Sequence, residues 1–152
     1  MIAWNYLDKR YAVRKALRDY QDMVRVIEIT PDKVKTVYDD MIAPRTPALS
    51  HTPAARDPLA GENKLVSMLD DMHGILERYR EAVEFMEWFK PAWKLLTNEE
   101  QDILHEFYMG GSLKSGATER LQKQMKYSSQ HVERLRGRAF SRLTLLLYGS
   151  DK

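Results

Sequence analysis

Leu96-Thr97-Asn98-Glu99-Glu100-Gln101-Asp102-Ile103-Leu104 and Lys126-Tyr127-Ser128-Ser129-Gln130-His131-Val132-Glu133-Arg134 are the two stretches whose reading decides the fold of this chain. Each puts a helix-capping residue directly ahead of an apolar helical pattern. Thr97 and Glu100 have the spacing of a capping box, hydroxyl to amide one way and carboxylate to amide the other. Ile103, Leu104, Phe107 and Tyr108 then form an apolar face, and Gly110-Gly111 is expected to supply a left-handed stop. A second helix is expected over Ala117 to Met125 with Leu121 and Met125 inward, and Lys126-Tyr127 makes a turn. Ser128 caps a third helix that is expected to bury Val132, Leu135, Ala139, Leu143 and Leu146. Three short helices, the last dense in arginine, suit a helix-turn-helix that reads duplex DNA.

Upstream of Leu96, Lys90-Pro91-Ala92 predicts a kink or break, because proline removes a donor and clashes with the preceding turn. Trp88, Phe89 and Trp93 flank that point and are expected to plug it. Glu62 to Phe89 reads as a long helix with Leu65, Met68, Leu69, Met72, Ile75, Leu76, Tyr79, Val83, Met86 and Phe89 alternating by three and four, the pattern of a coiled-coil-like seam. Residues 3–29 read as another long helix, with a stripe through Trp4, Leu7, Tyr11, Val13, Leu17, Tyr20, Val24 and Ile27. Thr30-Pro31 is expected to end it and start a short helix through Val34, Val37, Tyr38 and Met41. Residues 43–60 hold Pro44, Pro47, Pro53 and Pro58 among small and polar residues, and read as a linker. The expected fold is all-α: a long helical hairpin over 1–90, then a three-helix helix-turn-helix module over 91–152.

Charge follows the same division. The 152 residues carry a net charge of +2, yet the segment from Ser112 onward holds nine Lys or Arg against three acids. Its +6 leaves −4 for the first 111 residues. A basic end on a mildly acidic body fits a polyanion-binding module joined to a different one, against the plainer reading of a solvated helix surface. No cysteine is present, which removes disulfides and thiolate metal sites. The apolar runs fall far short of the roughly 20 residues that span a bilayer, and Met1-Ile2-Ala3-Trp4-Asn5 lacks the pattern of a secretory signal. A cytoplasmic protein without membrane partners is therefore expected.

A helix in a major groove shows its first outward residues to base edges. Here those are Ser129, Gln130, Glu133 and Arg134. Glutamine pairs with adenine, arginine with guanine, and a carboxylate accepts from cytosine. Lys126, Ser128, His131, Arg136, Arg138 and Arg142 are the candidate phosphate contacts. Catalytic chemistry is not expected. His73 with Glu77, and Asp102 with His105, give two ligands each, where a catalytic zinc takes three. Asp70-Asp71 and Glu99-Glu100 have no base or pocket beside them. No metal and no cofactor is predicted.

Leu96-Thr97, Glu100, Ile103-Leu104 and Phe107-Tyr108, followed by Tyr127-Ser128, Val132, Leu135, Ala139-Phe140 and Leu143, resemble the C-terminal DNA-binding region four of bacterial sigma factors. With Trp88-Phe89-Lys90-Pro91-Ala92-Trp93 and Leu145-Leu146-Leu147-Tyr148-Gly149, the chain is similar to small phage and prophage proteins that carry this module behind a helical hairpin, some of them transcription regulators. The sigma-like motif covers about a third of the chain. It departs from the family pattern at Gln122, where a small residue is usual, in the long glycine- and serine-rich segment Gly110 to Gly116, and at Gly137 inside a helix. The resemblance implies a sequence-specific double-stranded DNA-binding transcription regulator. RNA polymerase and a second copy of the chain, joined through the N-terminal helices, are the further candidate partners. The competing expectation is a non-enzymatic interaction protein or scaffold that binds RNA polymerase or a phage packaging component.

Overall fold

The structure, a computed structural model, describes residues 8–43, 59–110 and 116–149. Helices are the only regular elements among them: α1 (Lys9–Ile42), α2 (Ala60–Lys94), α3 (Asn98–Leu104), a π-helical turn (His105–Met109), α4 (Ala117–Met125) and α5 (Ser129–Tyr148). Trp4, Leu7, His51, Gly111 and the four prolines of the expected linker lie outside the described residues.

Asp8 starts α1, its carboxylate accepting from the Tyr11 amide at 3.0 Å. The helix then runs through Thr30-Pro31 to Ile42, where a break was expected. Pro31 still lacks its donor and crowds the carbonyl of Ile27. Thr30 is buried, and its hydroxyl donates to the carbonyl of Val26 instead of capping a new helix. A threonine that bonds back four residues is a mid-helix residue, so the cap that would have justified a second start is spent.

Pro91 likewise lies inside α2, which continues to Lys94. The end comes just beyond, where the Leu95 and Leu96 amides donate to Ala92 and Trp93 carbonyls, three residues back, both at 3.2 Å. Those tighter bonds close the helix, and Leu96 turns inward ahead of Thr97. The terminus of α2 thus falls four residues later than the proline alone predicts.

The described chain divides into two compact units, and the division runs through both long helices. It differs from the boundary expected near residue 90. The first unit takes Asp8, residues 9–23 of α1 and 84–94 of α2 together with the described residues after them. Its core joins Val13, Ala16 and Leu17 to Phe89, Ala92 and Leu96, and these to Leu104, Met109, Ala139, Phe140 and Leu143. Tyr11, counted in the apolar stripe from the sequence, is exposed. The second unit comprises 24–83. Within it a cavity of about 190 Å³ is lined by Val26, Ile29, Thr30, Lys33, Ile75 and Arg78. Leu65, Val66, Leu69 and Leu76 of this unit stay exposed.

Candidate nucleic-acid interface

The segment from Thr97 to Gly149 is built around two clusters. Leu104, Met109, Ala139, Phe140 and Leu143 belong to the main core of the first unit. Ile103, Leu121 and Val132 form a smaller one, with Phe107, Met125 and Leu135 against it. The smaller cluster ties one residue each from α3, α4 and α5, and so sets where the start of α5 lies relative to α4.

Capping follows the sequence at both ends of this region. Thr97 accepts from the Glu100 amide at 3.2 Å, and Glu100 accepts from the Thr97 amide at 2.8 Å. Ser128 accepts from the His131 amide at 3.3 Å. Between α4 and α5 the chain turns over 126–128, with Lys126 in the left-handed region at φ 57°. Gly149 stops α5 in the same region at φ 74°. Gly110 does not behave as expected. It is extended, with φ −67° and ψ 126°, and its amide closes a π turn on the His105 carbonyl. The wider π turn rotates Phe107 and Tyr108 relative to a regular helix, and this stop needs no left-handed glycine.

On α5, Val132, Ala139, Phe140, Leu143 and Thr144 are buried. Leu135 is half-buried, and Leu146, expected inward, is exposed. The opposite side carries Gln130, Arg134 and Arg138, each four residues from the next and each exposed. Among the described residues these three make no hydrogen bond or ion pair. Ser129 and His131 are exposed beside them, and the His131 ring meets Tyr127 edge-on at 4.6 Å. The Glu99 carboxylate, as hydrogen-bond acceptor and then by its charge, raises the Tyr127 phenol above its ordinary value.

Two predicted phosphate contacts, Arg136 and Arg142, and one predicted base contact, Glu133, form ion pairs inside the protein. Arg136 pairs with Glu133 at 2.8 Å and lies over the Phe107 ring at 4.7 Å. Arg142 reaches both carboxylate oxygens of Glu100 at 3.1 Å and the Leu95 carbonyl at 3.3 Å. Glu100 thereby serves the capping box and α5 at once. Sequence spacing could not show this, since Arg142 lies 42 residues away. Arg142→Ala is expected to cost about 1 kcal/mol of stability, as a half-exposed pair with charge-assisted bonds. A urea titration followed by circular dichroism measures it, and an unchanged midpoint would rule out the clasp.

Sequence reasoning also passed over Arg10, Arg14 and Arg18 of α1. Arg10 donates to Ser141 at 3.2 Å and lies over Phe140 at 4.9 Å. Arg14 and Arg18 line a cavity with residues of α4 and α5. The available signal was three arginines at intervals of four beside an apolar stripe.

Among the described residues no group of three or more histidine and carboxylate side chains could hold a metal ion. Glu77, paired with His73 in the sequence reading, is bonded instead to Arg80, which holds its carboxyl below the usual range. No helix among the described residues is long and apolar enough to cross a membrane. No family model, curated protein or solved structure matches this chain.

Proposed function

We propose that this chain is a cytoplasmic, sequence-specific double-stranded DNA-binding transcription regulator of the phage or prophage type, with a sigma-region-four-like helix-turn-helix as its reader. The observation that carries the reading is the exposed row of Gln130, Arg134 and Arg138, whose side chains have no polar partner among the described residues, along the capped first half of α5. Ser129, Gln130 and Arg134 face base edges, and Glu133 joins them only when it leaves Arg136. Lys126, Ser128, His131 and Arg138 meet phosphates, while Arg136 and Arg142 act through the fold they brace.

Arg134→Ala should cost about 1–3 kcal/mol on the selected site and relax base choice at one position. Selection from random duplexes followed by competition binding tests this. An unselective pool, or a footprint that Arg134→Ala leaves intact, would overturn the reading. Duplex affinity should also fall steeply with salt.

One observation favours the second reading, a non-enzymatic interaction protein. Leu65, Leu69, Leu76 and Tyr79 are exposed at heptad-compatible intervals along α2. They suit a second copy of the chain, RNA polymerase or a phage packaging component. Salt-insensitive association with a protein, in place of duplex binding, would favour that role.

A further inference from the structure

A second site lies within the first unit, on a different flank of α5 from Gln130, Arg134 and Arg138. A cavity of about 450 Å³ is walled by Arg14 and Arg18 of α1, by Phe107 and Tyr108 of the π turn and by Thr118 of α4. Glu133 and Arg136 of α5 complete it.

The lining holds three guanidinium groups against one carboxylate. That carboxylate is already committed, since Glu133 pairs with Arg136 at 2.8 Å. Arg14 and Arg18 make no hydrogen bond or ion pair among the described residues. Like charges one helical turn apart on an exposed face repel only weakly, and an anion between them would engage both. Thr118 adds a hydroxyl that makes no hydrogen bond among the described residues. It stands in the first turn of α4, whose Gly116 gives no side-chain cap. The positive end of that helix adds to the field of the arginines.

Guanidinium groups bind phosphate oxygens in a fork, and a phosphate monoester has the charge and the acceptors to engage two of them. The volume falls in the range of about 300–1,000 Å³ typical of small-ligand sites, more than a bare phosphate fills. Phe107 and Tyr108 supply the apolar and aromatic wall for the remainder. The geometry points to a binding site for a small phosphate monoester with an aromatic or apolar body, of the nucleoside monophosphate class, held by Arg14, Arg18 and the Thr118 hydroxyl. Arg136 joins when its bond to Glu133 yields, so the ligand competes with that carboxylate. No duplex enters this proposal, and it stands or falls apart from the DNA-binding reading.

Calorimetric titration of the full chain at fixed ionic strength tests it, with adenosine 5′-monophosphate, adenosine and duplex DNA as probes. Adenosine 5′-monophosphate should bind and adenosine should not. Arg14→Gln with Arg18→Gln should weaken the nucleotide at least roughly tenfold, the loss of more than about 1.4 kcal/mol. Both arginines are exposed, so the melting curve of the double variant should match that of the parent. The proposal is overturned if the nucleotide gives no signal, if adenosine binds equally well, or if the double variant binds the nucleotide unchanged. It is also overturned if only duplex binding suffers, because the two arginines would then be backbone contacts of the nucleic acid.

Discussion

Replacing Phe89 with alanine is expected to remove about 3–5 kcal/mol from the stability of the first unit, the range for deleting a fully buried aromatic ring. Phe89 has no exposed surface and sits at the hub of an aromatic group. Its ring lies 5.4 Å from Tyr20, 5.5 Å from Phe85 and 5.7 Å from Trp93, the last two stacked. Truncation loses the transfer energy of the ring and leaves a void that three neighbouring rings cannot close without leaving their contacts. Trp88 and Trp93 pack in the same core, so tryptophan emission reports on it directly. Denaturant titration followed by that emission should show the midpoint fall steeply. A loss under about 1 kcal/mol would mean that the hub collapses around the gap, contrary to the packing seen.

Phe89 was placed from sequence at the right spot for a local reason, the aromatic density beside Pro91. Local chemistry was similarly sufficient for the capping box at Thr97, the Ser128 cap and both bounds of α4. Each depends on residues within four positions of one another. The expectations that failed had partners farther away or a competing local bond. Thr30 has the side chain of a cap, but burial and the Val26 carbonyl claimed its hydroxyl, and α1 ran on through Pro31. Pro91 lies in a helix whose following residues, Ala92 and Leu96, are core, and that burial outweighs the lost donor. Arg142 looked like any other cation on a basic helix until Glu100 of α3 came beside it.

The candidate interface divides in the same way. That Gln130, Arg134 and Arg138 face outward follows from their period relative to Val132, Ala139 and Leu143, which the sequence alone displays. Period offers Arg136 a partner in Glu133, but it cannot show the Glu100 partner of Arg142, 42 residues away. Arg136 pairs with Glu133 three residues earlier on α5 and is covered by Phe107 of the π turn, while Arg142 is held by Glu100 of α3 and the Leu95 carbonyl. Charge counting alone thus does not separate Arg136 and Arg142, which have carboxylate partners, from Arg134 and Arg138.

Leu121→Ala should be the most damaging change to the proposed reader that touches none of its contact residues. Leu121 is wholly buried between Ile103 and Val132, and leucine truncation at such a site costs about 2–5 kcal/mol. Leu121 is the central apolar anchor of α4, which is otherwise held by buried Ala117, by Met125 at the edge of the same cluster and by the ion pair of Arg120 with Glu106. The turn at 126–128 hangs from the end of α4, and α5 begins directly after it. Loosening α4 therefore frees the start of α5 to move, and a reader whose first turn wanders loses affinity for its site more than for random duplex. Leu121→Met keeps the volume and should stay within about 1.5 kcal/mol of the parent. Amide exchange across 117–135 measures the loosening, and competition binding on selected and random duplexes measures its consequence. Equal loss on both duplexes would mean that phosphate contacts alone were disturbed. Intact discrimination in a demonstrably loosened variant would show that base choice does not depend on how α4 seats the start of α5.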